Sequence, residues 1–173
     1  MTAVEEARSA GASGKSIHDS GLSVDGATRA TLPQQRYADA LHAALDALQL
    51  LPDTLRAGLR IEPPRGPREL YVELEWLPGH DDLVPAAAQM DGLTVAWSHL
   101  AGWSVRCGPD VVALDVDKLA APTLIADAAM HAALYGIGRG RPEPPDPGAR
   151  WEHAVYLDIA LVAYDERTDG VSG

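Results

Sequence analysis

The sequence predicts an α+β fold, in which an antiparallel sheet of about four strands carries two or three packed helices. The first observation is a period-two alternation of apolar and polar residues within residues 68–117, which is typical of strands with one buried and one wet face. The second is that apolar residues recur at helical spacing on both sides of this stretch. Helices segregated around such a sheet define the α+β class.

Length and composition indicate one domain with tails. The chain has 173 residues and is 46% hydrophobic, which is enough for one packed core. Residues 1–30 are rich in Ala, Gly, Ser and Asp without a sustained period, and we expect a disordered tail that is dispensable for folding. We expect residues 31–166 to form the domain and residues 167–173 to fray.

The domain begins with a predicted helix over residues 32–50. The motif TLPQ at residues 31–34 has the pattern of a capping box with Thr31 as N-cap, and apolar residues follow it at helical spacing. The next stretch, residues 52–68, is basic and rich in Pro and Gly, so we expect a loop with a helical turn near residues 53–59. Its arginines either balance the acidic edge of the sheet or bind a phosphate or carboxylate.

The predicted sheet follows. Its first strand places four apolar side chains on one face and four polar ones on the other: Leu70, Val72, Leu74 and Trp76 against Glu69, Tyr71, Glu73 and Glu75. Residues 93–97 and 103–107 alternate in the same way around a tight turn, so we expect Trp97 and Trp103 to pair across a hairpin. Residues 111–116 form a fourth, shorter predicted strand.

Two further helices are predicted after the sheet. Pro122 begins the first of them, Gly136 ends it as a C-cap, and its many alanines allow a close approach to the sheet. Residues 147–165 have helical spacing, but their apolar residues also alternate like those of a strand. The pair Asp146-Pro147, an N-cap followed by a first-turn residue, favours the helix.

The charge balance excludes some partners. The formal net charge is −11, and residues 69–138 contain ten acidic residues against only Arg106 and Lys118. A nucleic-acid surface needs clustered Lys and Arg, so we expect no nucleic-acid partner. The acidity serves either solubility or the binding of a basic protein partner, with Glu73 and Glu75 on the polar strand face as candidate contacts.

We expect no signal for export or membrane insertion in this sequence. Its first residues contain acids and no apolar run, unlike a secretory signal, and no apolar stretch approaches the roughly 20 residues that span a bilayer. The single cysteine, Cys107, allows no intramolecular disulfide and is expected in the core. We therefore expect a cytoplasmic protein without membrane contact.

One polar cluster has candidate chemistry. His80, Asp81 and Asp82 follow the first strand and are the candidates for a general base or part of a metal site. The other histidines lack the spacing of a zinc site, and Gly, His and Asp residues also suit a simple turn. A metal-assisted enzyme is therefore the alternative hypothesis. No cofactor-binding motif is present in the sequence, so we expect no cofactor.

The main functional prediction is a non-enzymatic, intracellular protein-interaction module: an adaptor, a regulator or a chaperone-like protein. The last predicted helix is apolar over a wide arc: Trp151, Val155, Tyr156, Ile159, Leu161 and Val162. Apolar patches usually mark interfaces and two-fold dimers are the commonest assembly, so we expect a homodimer, unless the arc completes the domain's own core. The predicted contact residues are Trp97, Trp103, Trp151, Ile159, Glu73 and Glu75.

Several segments within residues 37–134 resemble a family of small actinobacterial domains. The resemblance rests on YADALHAALDAL, on LYVELEWLPGHDD with its Leu-Pro-Gly-His turn, and on a Gly-Trp hairpin before an Ala-rich helix. Family members tend to have Trp-Asp-Glu before the Gly-Trp, where this chain has Trp97-Ser98-His99. The family has no assigned activity, so the resemblance implies a fold rather than a function. The order of elements is also similar to that of secretion-chaperone-like domains, which is an architectural analogy.

Overall fold

The computed structural model describes residues 32–61, 68–138 and 146–169. Within these ranges it contains, in chain order, α1 (Gln35–Ala47), β1 (Thr54–Ile61), β2 (Arg68–Trp76), α2 (Ala86–Asp91), β3 (Leu93–Ser98), β4 (Gly102–Cys107), β5 (Asp110–Ala113), α3 (Pro122–Tyr135) and α4 (Ala154–Asp169). The predicted α+β class is confirmed, with a five-stranded antiparallel sheet in place of about four strands. The predicted tail at residues 1–30 lies outside the described residues.

The five strands form one meander, in which each strand pairs antiparallel with the next along the chain. The register aligns apolar side chains across the strands: Leu74 lies between Leu55 and Val95, and Trp97 faces Trp103. One face of β2, β3 and β4 is therefore apolar and buried, as the period-two alternation predicted. The polar residues of β2 lie on the opposite face of the sheet.

All four helices contribute buried residues to the same core as this sheet face, α2 through Ala88 alone. α1 packs against α3 and β1, and α3 also contacts β3. Ala126, Ala129 and Ala133 of α3 are buried, and their single methyl groups allow the helix to approach its neighbours closely. Pro122 in the first turn and Gly136 at the C-cap, with φ 86°, confirm the predicted ends of this helix.

Tyr37 in α1 is the centre of an aromatic cluster. Its ring centroid lies 6.1 Å from that of Trp97, 6.0 Å from that of Trp103 and 5.0 Å from that of Trp151. The first two contacts are edge-to-face, an arrangement that aromatic pairs prefer. The Tyr37 hydroxyl donates a 2.6 Å hydrogen bond to the carbonyl of Ala120. Burial raises the pKa of the Tyr37 phenol, because the interior disfavours its charged form.

Tyr37→Phe keeps the ring but leaves the Ala120 carbonyl without its donor. We expect a loss of about 1–3 kcal/mol in the free energy of unfolding, measured by urea denaturation. The folded-state pKa of Tyr37 lies above its unfolded value of 10.0, so this group's stabilisation is complete below that pH and is lost as the pH rises further. Raising the pH above this range should therefore destabilise the variant less than it destabilises the native chain. Tyr135→Phe, at an exposed tyrosine, is the control, and equal effects of the two substitutions would argue against the buried hydrogen bond.

β1 is an edge strand where a loop with a helical turn was expected, so that prediction is wrong for Thr54–Ile61. The side chains that β1 turns toward the core, Leu55, Ala57 and Leu59, are only partly covered at this edge. They alternate with arginine and glycine, which are not typical strand formers, so the period-two signal is weak. Pairing with β2, the next strand along the chain, stabilises the segment as a strand.

The start of α1 also differs from the prediction. The helix begins at Gln35, and its N-cap residue Gln34 makes no side-chain capping bond. The buried amide of Gln34 instead donates a 2.8 Å hydrogen bond to the carbonyl of Gly58, which ties the start of α1 to β1. The predicted N-cap Thr31 lies outside the described residues.

α4 is a helix, as predicted, but it begins at Ala154 rather than near residue 147. Asp146 accepts a 3.2 Å hydrogen bond from the Gly148 N–H, which forms a turn, and Arg150 then pairs with Ala120 in an isolated β-bridge. The predicted frayed end at 167–173 is helical up to Asp169, and residues 170–173 lie outside the described ranges. None of the helices in those ranges is both long and apolar enough to cross a bilayer.

Candidate functional site

One side of α4 presents four large apolar side chains to solvent, which we call the α4 apolar face: Val155, Tyr156, Ile159 and Val162. Their exposed fractions are 61%, 74%, 64% and 58%. The spacing i, i+1, i+4, i+7 places them along one side of the helix. The opposite side joins the core through Ala154, Leu157 and Leu161. α4 is therefore apolar on both sides, and one side has no cover within the described part of the chain.

Polar contacts near both ends hold α4 in this orientation. Before its start, the Arg150 guanidinium donates hydrogen bonds of 2.6 Å to Asp158 and 3.0 Å to Asp117, and these bonds raise the pKa of Arg150. Near its end, Nε2 of His99 lies 3.2 Å from Oδ1 of Asp165. These contacts and the burial of Leu157 and Leu161 on the opposite side together favour the orientation in which the α4 apolar face points outward.

His99 helps to position α4, a role that the sequence analysis did not predict. Its side chain is buried, and Nδ1 accepts a 2.9 Å hydrogen bond from the Leu70 N–H. An imidazole that accepts at Nδ1 carries its proton on Nε2, which donates to Asp165. The ring also meets Tyr164 edge-to-face at 5.9 Å. His99 and Asp165 are 66 residues apart, so no local pattern indicates their contact.

The predicted contact residues divide into exposed and buried groups. Ile159 lies on the α4 apolar face, whereas Trp97, Trp103 and Trp151 are only 1%, 2% and 8% exposed and pack in the core. Trp97 also donates from Nε1 to the carbonyl of Lys118 at 2.8 Å. The three tryptophans therefore stabilise the fold and do not belong to the surface that a partner could reach.

Glu73 and Glu75 lie on the polar face of the sheet and pair with arginines of β1. Arg56 lies 2.7 Å from Glu75 and 3.8 Å from Glu73, and Arg60 lies 3.3 Å from Glu73. Arg60 also lies 4.6 Å above the centroid of the Tyr71 ring. The two arginines balance the acidic strand, which is one of the two roles expected of them. A basic partner would have to compete with them for these carboxylates.

His80 lies in the turn after β2, between two carboxylates. Its Nε2 is 3.9 Å from Oδ2 of Asp53, and its Nδ1 is 3.7 Å from Oδ2 of Asp82. Nδ1 accepts a 3.2 Å hydrogen bond from the Asp82 N–H, and Oδ2 of Asp53 accepts a 2.7 Å bond from the Leu77 N–H, so both groups fix the turn. Asp81 is exposed. The described residues contain no group of three or more His, Cys, Asp or Glu side chains arranged to hold a metal ion.

Comparison with protein families, curated proteins and solved structures finds no match to this chain. The resemblance to small actinobacterial domains therefore stays a prediction. Because a fold alone does not specify a function, the function has to follow from the exposed surfaces and their chemistry.

Proposed function

We propose that this chain is a non-enzymatic protein-interaction module whose contact surface is the α4 apolar face. The observation that carries the proposal is four large apolar side chains, 58–74% exposed, on a helix whose other side is packed in the core. Apolar area is stabilised by roughly 25 cal/mol for each Å² that leaves water, so covering this face is favourable. The contacts of Arg150 and His99 support a preformed surface, because they hold the helix in place before any partner binds.

The form that we propose for the module is an intracellular adaptor, regulator or chaperone-like protein. Each of these classes acts by binding another protein, and an apolar helix face is a recurrent docking surface. The likeness in element order to secretion-chaperone-like domains supports the same class by analogy. A heterologous partner would carry basic groups, because the exposed Glu152 and Glu166 flank the α4 apolar face and the net charge is −11.

A metal-assisted enzyme built on His80, Asp81 and Asp82 is the second hypothesis. The observation in its favour is the approach of Asp53 to His80, which adds a carboxylate from a distant part of the chain. The hydrogen bond from the Asp82 N–H occupies Nδ1 of His80, so only Nε2 could bind a metal in this geometry. Zinc titration by calorimetry, on the native chain and on His80→Ala, distinguishes the hypotheses. A stoichiometric site that the substitution abolishes would support the metal hypothesis by showing a metal site at His80, and absence of binding to the native chain would end it.

Affinity isolation from the cells that make the protein tests the interaction proposal. The baits are the native chain, Ile159→Asp and the matched control Met90→Asp, which changes a 74% exposed side chain on α2. Circular dichroism first establishes that each bait is folded. We expect mass spectrometry to find proteins that the native chain and Met90→Asp enrich and that Ile159→Asp loses. Equal enrichment by all three baits would show that the α4 apolar face is not the contact surface.

A further inference from the structure

We propose that the α4 apolar face is covered by the same face of a second copy of this chain. The two α4 helices would run antiparallel across a two-fold axis that passes near Ile159. This inference rests on the proposed function, and it names the partner and the geometry of the contact. A two-fold contact uses one surface twice, so the surface has to be complementary to itself.

The apolar pattern of α4 is symmetric about Ile159. Tyr156 and Val162 lie three residues to either side of it, and Val155 and Ala163 lie four residues to either side. An antiparallel pair therefore sets Tyr156 against Val162 of the second copy and Val155 against its Ala163. Each of these contacts joins a larger side chain to a smaller one, which allows the two surfaces to interdigitate. A heterologous partner would not require this symmetry.

The area of the face is that of a weak dimer. A specific contact buries about 800 Å² on each partner. Four side chains with exposed fractions of 58–74% supply on the order of half of that area, and the flanking Glu152, Ala163 and Glu166 extend it. Because a contact of this size is below that of most stable complexes, we expect a weak dimer that dissociates as the protein is diluted.

The charges at the ends of the face give this dimer a diagnostic salt response. Glu152, in the turn just before α4, and Glu166, near the end of α4, lie seven residues before and after Ile159 and are exposed. Nε2 of His153 lies 3.6 Å from Oε1 of Glu152, and Arg167 follows Glu166, so the repulsion between the copies also reflects the net charge of −11 on each chain. The antiparallel arrangement brings Glu152 of one copy toward Glu166 of the other, which opposes association. Charges at an exposed rim are screened by salt. Salt should therefore strengthen the dimer, whereas it would weaken the attachment of an acidic chain to a basic partner.

Sedimentation equilibrium over a wide range of protein and salt concentrations measures this self-association. We expect the mass of the native chain to rise from 18.3 kDa toward twice that value with protein concentration, and to rise further at high salt. Ile159→Asp should stay at the monomer mass, because the two-fold axis would place the new carboxylate next to the equivalent carboxylate of the second copy. Met90→Asp should associate like the native chain.

Glu152→Lys tests the geometry by a gain of affinity. It replaces the like-charge contact with an attraction to Glu166 of the second copy, and this happens twice in each dimer. The dissociation constant of the dimer should therefore fall severalfold. Because salt screens the new attraction, salt should weaken the dimer of this variant. Glu152 is exposed, so the substitution does not threaten the fold. Asp110→Lys, at an exposed position of β5, is the matched charge control and should leave the direction of the salt response unchanged.

Three results would overturn the inference. A constant mass of 18.3 kDa at every concentration and salt would exclude the second copy as partner, and the interaction module would then be judged by the affinity isolation alone. A dimer that persists in folded Ile159→Asp would place the contact elsewhere. Weaker association of Glu152→Lys would contradict the antiparallel arrangement.

Discussion

Trp97→Ala is expected to lower the free energy of unfolding by about 3–5 kcal/mol. The Trp97 side chain is 1% exposed, faces Trp103 across the β3–β4 hairpin and meets Tyr37 edge-to-face. Truncation therefore leaves a cavity between the sheet and α1, and it also removes the hydrogen bond to the Lys118 carbonyl. A domain of this kind has a total stability of only about 5–15 kcal/mol, so the loss is large.

Urea denaturation followed by far-ultraviolet circular dichroism measures this effect. Trp76→Ala and Trp103→Ala should fall in the same range, because both side chains are as deeply buried as Trp97. Tyr135→Ala removes an aromatic ring that is 55% exposed and should cost less than about 1 kcal/mol. If the three tryptophan variants unfold at the urea concentration of the native chain, the placement of these strands in the core is wrong.

Gly92→Ala, at the single residue that joins α2 to β3, is expected to lower the free energy of unfolding for two separate reasons. Gly92 has φ 76° and ψ −178°, a conformation that side chains with a Cβ rarely adopt, which costs about 1–3 kcal/mol. A Cβ at this position would also lie 2.7 Å from the Trp76 carbonyl oxygen, a backbone atom that cannot swing aside. Relief of this clash adds about 1–3 kcal/mol.

Gly102→Ala is the matched control for this substitution. Gly102 has a similar φ of 80°, but a Cβ there would meet nothing within 4 Å, so only the backbone cost applies. The difference between the two variants in the free energy of unfolding, measured by urea denaturation, isolates the clash between position 92 and Trp76. Equal losses of stability at the two positions would contradict the close packing of the α2–β3 connection on the end of β2.

The strands with one fully buried face could be predicted from the sequence, and the edge strand could not. In β2 every core-facing side chain is buried, so only apolar residues are tolerated there and the alternation is strong. β1 is half-covered at the edge of the sheet, where Arg56 and Arg60 pair with carboxylates of β2. Those stabilising partners come from another strand, and a local pattern does not contain them.

The candidate site was predictable in part. Periodicity indicates that Tyr156, Ile159 and Val162 share one side of α4, but it does not indicate which side of an apolar helix faces the core. That choice depends on long-range contacts such as the one between His99 and Asp165. The same limit explains why Trp151 was expected at a contact surface but lies against the Tyr37 ring in the core.

A photo-reactive amino acid at position 159, introduced in living cells, tests most directly the central claim that protein covers the α4 apolar face. The same amino acid at position 90 is the control, because Met90 is 74% exposed and Ile159 is 64% exposed. Illumination is expected to give a discrete adduct from position 159 and none from position 90, and an adduct with the mass of two chains identifies the second copy. No adduct from position 159, or the same adducts from both positions, would contradict the claim.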